Sequence, residues 1–185
     1  MKLEIVRPDE KRKGGRRDAV VVFLARPEKK GPARFESLPE GFREAVRSAA
    51  PPDAGSDGSL FTLPLGPEAP ARRLYVLGTG AGDELSPRKA RVLLRSAVRG
   101  LEKNGERSAL VDFPFTLLRM DPAEARDFLA RSVLTAGYAF PRFKASARGA
   151  ARLAEVALAG DRGVFAGTTP KERAAVRVAA AKTAE

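Results

Sequence analysis

A strand, a glycine-rich turn and an amphipathic helix follow one another over residues 72–105, and this unit constrains the fold more than any other stretch. Residues 74–77 form a short apolar run, which is typical of a buried strand. Glycines interrupt it over residues 78–82, and Ser86 followed by Pro87 then supplies an N-cap and a proline at the first helical position. The helix predicted after them carries one apolar stripe, formed by Ala90, Leu94, Ala97, Val98 and Leu101. The unit is half of a β–α–β motif.

Five further segments have the composition of strands, and they lie at residues 3–6, 19–25, 59–65, 108–113 and 156–159. The strongest is 19–25, where apolar and β-branched residues follow one another without alternation, so we expect a strand that is covered on both faces. Residues 59–65 alternate with period two and contain Pro64, which predicts an edge strand. Residues 3–6 also alternate, and we expect them at an edge.

Three more helices are predicted from their caps. Ser37 and Glu40 form a capping box that opens a helix to about residue 49, and Asp121 followed by Pro122 opens another. Thr169 followed by Pro170 opens an alanine-rich helix that runs to the end of the sequence. Because strands alternate with helices, the sequence predicts an α/β fold with a mixed, mostly parallel sheet between helices.

The composition is that of one folded domain, which we expect to span residues 1–185. Hydrophobic residues make up 43% of the chain, yet no apolar run approaches membrane-spanning length, so no membrane partner is expected. The first residues lack the apolar stretch of a signal peptide and the chain has no cysteine, which together favour a cytoplasmic location. The absence of histidine removes the commonest general base and the commonest metal ligand.

The glycine-rich turn is the first candidate site. Its backbone N–H groups can face a phosphate, with the dipole of the following helix behind them, and the residues concerned are Gly78, Thr79, Gly80 and Gly82. The spacing is not that of G-x-G-x-x-G, because the third glycine comes too early, and no Gly-Lys-Ser/Thr follows. A structural turn at the carboxyl end of a strand is the interpretation that the spacing favours.

The carboxylates do not form a catalytic pattern. Asp83 and Glu84 are adjacent residues of a loop, while Asp121 and Glu124 are explained by capping. No pair has the spacing that general acid–base catalysis or glycoside hydrolysis requires. Without histidine or cysteine, a metal site would need at least three converging carboxylates, and nothing in the sequence indicates them. We therefore predict no catalytic residue, no metal ligand and no cofactor in this chain.

The formal net charge is +11, with 34 basic residues against 23 acidic ones. Such a charge favours an acidic partner, which would be nucleic acid, a membrane surface or an acidic neighbouring domain, although a solvated arginine-rich surface explains it equally well. Aromatic residues make up 6%, too few for a base-stacking platform, so any DNA binding is expected to be sequence-independent and made through phosphates. The candidate contacts lie in one loop and on one helix face: Lys11, Arg12, Lys13, Arg16, Arg17, Arg88, Arg91, Arg95, Arg99 and Lys103.

In the order of its segments the chain resembles the N-terminal domain of the leucyl (cytosol) aminopeptidase family. The resemblance rests on residues 18–25 (DAVVVFLA), on the strand RRLYVLGTG at 72–80 with an acidic turn after it, and on the S-P-R-K-A start of the next helix. Its most specific part is residues 136–144 (AGYAFPRFK), because helices of the family commonly end in a Tyr-x-Phe-x-x-Tyr/Phe-Lys run. The match extends over nearly the whole chain. The basic loop at 11–17 and the alanine- and arginine-rich tract at 145–153 depart from it.

This resemblance implies a macro-domain-like three-layer sandwich that precedes a separate C-terminal catalytic domain. That second domain would hold two divalent metal ions, zinc or manganese, together with all catalytic residues. The role implied for the present chain is non-catalytic: it would contribute to self-association of the full-length protein and to active-site access. Two alternatives stay open, which are sequence-independent DNA binding and binding of a nucleotide-like ligand at the glycine-rich turn.

Overall fold

The computed structural model describes residues 1–6, 15–26, 33–35, 38–81, 84–137 and 153–160. Its strands are β1 Lys2–Ile5, β2 Arg17–Ala25, β3 Leu60–Pro64, β4 Ala71–Gly80, β5 Ser108–Phe113 and β6 Glu155–Gly160. Its helices are α1 Glu40–Ala49, α2 Pro87–Lys103 and α3 Pro122–Ala136, with a 3₁₀ turn at Phe115–Leu117. The predicted features that lie outside the described residues include Gly82, the 138–144 run and the helix expected from Thr169.

The strands form one six-stranded sheet in the order β1-β6-β5-β2-β4-β3. Neighbouring strands are parallel except for β3 and β4, which are antiparallel. The predicted mixed, mostly parallel sheet is therefore confirmed, and β1 and β3 are its edges, as expected. Pro64 lies in the edge strand β3, opposite Arg73 of β4, and a missing N–H is tolerated at such an edge.

β2 lies between β4 and β5 and is buried on both faces. Val21 and Phe23 pack in the core that the sheet shares with α2 and α3. Val20 and Val22 pack in the second core, which lies on the side of α1. The prediction of a strand covered on both faces is thus confirmed, and the described elements form three layers.

α2 and α3 pack side by side on one face of the sheet. The Oγ of Ser86 accepts a hydrogen bond from the N–H of Lys89 at 3.2 Å, and the Asp121 carboxylate accepts one from the N–H of Ala123 at 2.8 Å, so both predicted caps are confirmed. Each helix connects the carboxyl end of one parallel strand to the amino end of the next, and the two helices therefore run parallel to each other. None of the helices among the described residues has the length and apolar character to cross a membrane.

α1 begins later than predicted. Glu40 is its first residue, and Pro39 occupies the N-cap position without a side-chain hydrogen bond. The backbone of Pro39 is extended, with ψ at 135°, so the helix cannot include it. Ser37, the predicted cap, lies outside the described residues.

β4 is longer than the predicted strand, because it continues through the first two glycines to Gly80. Gly78 lies opposite Leu24 of β2, and after a register shift Gly80 lies opposite Ala25. The segment before β3 covers them on the other side. The N–H of Gly78 donates to the Ser59 carbonyl at 2.7 Å, and the N–H of Gly80 donates to the Gly55 carbonyl at 2.9 Å. The first part of the expected turn is therefore the end of a strand.

Close approach of two backbone segments explains why glycine occupies position 78. A Cβ built there would lie 2.0 Å from the carbonyl oxygen of Ser56 and 2.8 Å from the carbonyl carbon of Gly55, distances that no side chain tolerates. Gly80 is needed for a second reason, since its φ of 73° lies in the left-handed region. The two glycines thus allow the 51–58 segment to pack directly on the strand.

We predict that Gly78→Ala lowers the free energy of unfolding by about 2 kcal/mol or more, because the clash is with backbone and cannot be relieved by a rotamer change. Gly66→Ala is the matched control, since a Cβ at that position meets no atom within 4 Å. It should change stability by less than about 0.5 kcal/mol. Equilibrium urea unfolding measures both variants, and equal stabilities would contradict the close approach.

Candidate functional site

The predicted basic face of α2 is exposed along the helix. The cations that form it recur at three- and four-residue spacing, and every one is exposed: Arg88, Arg91, Arg95, Arg99 and Lys103. The guanidinium carbon of Arg91 lies 5.4 Å from the centroid of the Phe128 ring on α3, which is a cation–π contact. Exposed cations in a row are what phosphate contact requires, so nucleic-acid binding by this face stays a prediction.

The predicted loop residues do not form an exposed basic surface with the α2 row. Lys11, Arg12 and Lys13 lie outside the described residues, and Arg16 is exposed with its guanidinium bonded to the Gly66 carbonyl at 3.0 Å. Arg17 is buried, with only 8% of its surface exposed, and it pairs with two carboxylates of other strands. It therefore fastens strands together and does not contribute to an exposed basic surface.

The two partners of Arg17 are Glu155 at 3.1 Å and Glu4 at 3.5 Å. The hydrogen bond from Arg17, followed by the charge of Lys2, holds the pKa of Glu155 below its ordinary value in spite of the opposing effect of burial. This ion-pair group joins β2, β6 and β1 near the amino ends of the strands.

A groove of about 800 Å³ runs between α2 and α3, and the sequence did not reveal it. One wall carries the cations Arg91 and Arg95 of α2, while the opposite wall carries the carboxylates Glu124 and Asp127 of α3. Its apolar lining comes from Val92, Met120, Phe128 and Ala136. Asp127 also pairs within α3 with Arg131, at 2.5 Å. The groove is therefore amphipathic, with a basic wall on α2 and a wall on α3 that is acidic on balance although Arg131 also lines it.

A buried polar network lies at the far end of α2. Glu106, with 6% of its surface exposed, accepts hydrogen bonds from Arg73 at 2.7 Å and from the hydroxyl of Tyr75 at 2.9 Å. The Tyr75 hydroxyl in turn accepts one from the side-chain amide of Asn104 at 2.9 Å. Burial raises the pKa of Tyr75, and the bond from Asn104 only partly opposes this effect. Each of these groups has a hydrogen-bond partner within the network, which therefore joins β4 to the end of α2.

Asp18 has a similar structural role at the start of β2. Burial alone would raise its pKa, but hydrogen bonds from the N–H groups of Arg107 and Ser108 and from the Ser108 hydroxyl outweigh that effect and lower it. The two N–H donors lie 2.9 and 3.0 Å from one carboxylate oxygen. A general acid needs a pKa near the working pH, so this carboxylate is suited to joining strands rather than to proton transfer.

The backbone N–H groups of Gly78 and Gly80 in the glycine-rich segment already make hydrogen bonds within the protein. The N–H groups of Gly78 and Gly80 donate to carbonyl groups of the 51–59 segment, and the Thr79 hydroxyl donates to the Leu24 carbonyl at 3.4 Å. While these bonds are made, the two glycine N–H groups cannot be offered to a phosphate. The structure therefore gives no support at Gly78, Thr79 and Gly80 for the predicted binding of a nucleotide-like ligand. Gly82 lies outside the described residues.

The described residues do not fit a metal centre. No group of three or more aspartate or glutamate side chains converges among them, and the sequence has neither histidine nor cysteine. A pair of divalent ions needs several such ligands. No step of metal-assisted chemistry can be assigned to these residues.

Comparison with solved structures places the fold beside those of two enzymes. A mutant of tomato leucine aminopeptidase is similar with a TM-score of 0.62 and 18% identity, over 96% of this chain and 35% of that one. The bottromycin maturation enzyme BotP in complex with manganese has a TM-score of 0.53 and 15% identity, over 90% of this chain and 29% of that one. A second BotP structure has a TM-score of 0.51 and 19% identity, over 86% and 29% of the two chains. The chain thus spans about a third of the length of the structures it matches.

A search of curated proteins finds no match to this sequence. The sequence profile of the cytosol aminopeptidase family, N-terminal domain, matches residues 20–147, which is more than half of the 185 residues. The matched stretch includes most of β2 and every described element from α1 to α3, so it contains the centre of the sheet and both walls of the groove. The chain therefore belongs to the cytosol aminopeptidase family, whose N-terminal domain it matches.

Proposed function

We propose that this chain is the non-catalytic N-terminal domain of a cytoplasmic, metal-dependent leucyl aminopeptidase, a metallo-exopeptidase that removes N-terminal amino acids. In this proposal, a C-terminal domain of the full-length protein holds two divalent ions, zinc or manganese, and the catalytic residues. The present domain, a single unit over residues 1–185, contributes to oligomer assembly and to access to the active site. The observation that carries the proposal is the family match over residues 20–147.

The chemistry of the described residues supports a role without catalysis. The buried or partly buried carboxylates Asp18, Glu106 and Glu155 are each held by donors that join strands or helices. The pKa values of Asp18 and Glu155 are lowered, which is the opposite of what a general acid at neutral pH requires. The polar groups of the interior thus serve the fold.

The outer surface supports the assembly role. α2 and α3 cover one face of the sheet and present a groove with walls of opposite charge to solvent. Val92, in the middle of this surface, has 57% of its surface exposed. Charged groups that a partner can complement favour specific contact between proteins.

We expect the purified chain to release no leucine from leucine amide or leucine p-nitroanilide, with or without added zinc or manganese. The physical reason is that the described part of the chain offers no cluster of carboxylates that could hold the ions, and that the sequence has neither histidine nor cysteine. Initial rates by absorbance measure this, with a complete leucine aminopeptidase as the positive control. Metal-dependent hydrolysis that co-purifies with the protease-free chain would contradict the proposal.

A second candidate function is sequence-independent DNA binding through the α2 row. The observation that favours it is the exposure of all five cations along a single 17-residue helix, which is about 25 Å long. Such a row can follow several phosphates of a duplex.

The variant with Arg88, Arg91, Arg95 and Arg99 replaced by Gln tests this candidate. Affinity for a duplex should fall, and the slope of log K against log salt should flatten by about one for each lost contact. The single variant Arg95→Gln is measured beside it, and its matched control is Arg47→Gln, which removes one charge from α1 on the other side of the sheet. Fluorescence anisotropy at several salt concentrations measures all of them. Unchanged binding by the fourfold variant would exclude this face as the site.

A further inference from the structure

The outer face formed by α2 and α3 carries a basic pair and an acidic pair of equal spacing. Arg88 and Arg91 are three residues apart on α2, and Glu124 and Asp127 are three residues apart on α3. Along a helix this spacing is about 4.5 Å in both cases. The basic pair and the acidic pair therefore match each other in length.

The two pairs also lie at the same height along the groove. Arg91 stacks on Phe128 at 5.4 Å, and Phe128 is the residue directly after Asp127. Because the helices run parallel, Arg88 then lies near the height of Glu124, one turn earlier. Arg91, on the groove wall, and Arg88, exposed on α2 one turn before it, thus each have a carboxylate of α3 near their own level.

A second copy related by a two-fold axis parallel to the groove would bring these pairs together. Rotation by 180° about such an axis lays α2 of one copy over α3 of the other and keeps the heights along the groove unchanged. The basic pair of each copy then meets the acidic pair of its partner, twice in one interface. An isologous contact uses the same patch on both copies, so that patch must be self-complementary, as this face is.

We infer that the α2–α3 face is a binding surface for a second copy of this chain, with a two-fold axis along the groove. Arg88, exposed on α2 beside the groove, and Arg91 of each copy pair with Glu124 and Asp127 of the other. Val92 and Phe128 supply the apolar contact between them. Among the described residues Glu124 has no ion-pair partner within its own chain, so it is available for this contact. The inference rests on the oligomer-assembly part of the proposed function and gives that part a surface.

The dimer should be weak when only this face holds it together. Two helices of this length cover about 500 Å² per copy, which is less than the roughly 800 Å² per partner of a standard interface. Arg131 weakens it further, because it lies at the height of Arg95 of the other copy and already pairs with Asp127 at 2.5 Å. The net charge of +11 adds long-range repulsion, which physiological salt screens beyond about 8 Å.

Reciprocal charge reversal tests the surface. One variant is Arg88→Glu with Arg91→Glu, and the other is Glu124→Lys with Asp127→Lys. Each variant alone places like charges opposite one another, so its self-association should be about tenfold weaker or more than that of the wild-type chain. In an equimolar mixture both contacts are attractive again, and a heterodimer should form. The variant Arg131→Glu gives Arg95 of the other copy an acidic partner, so it should dimerise more tightly than the wild-type chain.

Sedimentation velocity of nuclease-treated protein at physiological salt measures these species, and far-UV circular dichroism verifies that each variant is folded. A weak wild-type dimer, two monomeric variants and a heterodimer in their mixture are the expected result. A wild-type chain that stays monomeric, folded variants that stay monomeric on mixing, or variants that associate like the wild type would each overturn the inference. None of these outcomes bears on hydrolysis, which tests the aminopeptidase proposal separately.

Discussion

Burial of β2 on both faces is the constraint on which the rest of the structure depends. Its residues from Ala19 to Leu24 retain at most 5% of their surface. Each valine, leucine or phenylalanine side chain among them contributes about 1.5–3 kcal/mol only if it is covered. A strand with apolar residues on both faces therefore needs a layer on each side. α1 supplies one layer, and α2 with α3 supplies the other. The three-layer arrangement follows from this requirement.

The same constraint decides where function can lie. The centre of the sheet is filled by packing, and the ionised groups near the amino ends of the strands are held by Arg17, Asp18 and Glu106 in contacts that join strands. The outer surface of the layer formed by α2 and α3, with its groove, is open to a partner. Such a surface is suited to contact with other proteins, in agreement with the role proposed for this N-terminal domain of the cytosol aminopeptidase family.

Local signals predicted most of the fold. The apolar run of β2 and the caps at Ser86 and Asp121 act within a few residues of the chain, so the sequence displays them directly. The role of Gly78 was missed, because it depends on a carbonyl group some twenty residues earlier. Arg17 was assigned to a surface because a basic run carries no information on the glutamates that bury it. The groove was missed for the same reason, since its walls belong to helices that meet only in the folded chain.

Native-state hydrogen exchange tests the central place of β2 most directly. The amides of residues 20–24 should exchange only through global unfolding, with a free energy equal to that of denaturant unfolding. Both faces of the strand are covered, β4 pairs with all five residues, and β5 pairs with Val20 and Val21. The amides of the edge strands β1 and β3 should exchange sooner, through local openings. Exchange of residues 20–24 as fast as that of the edges would contradict an account in which this strand organises the domain.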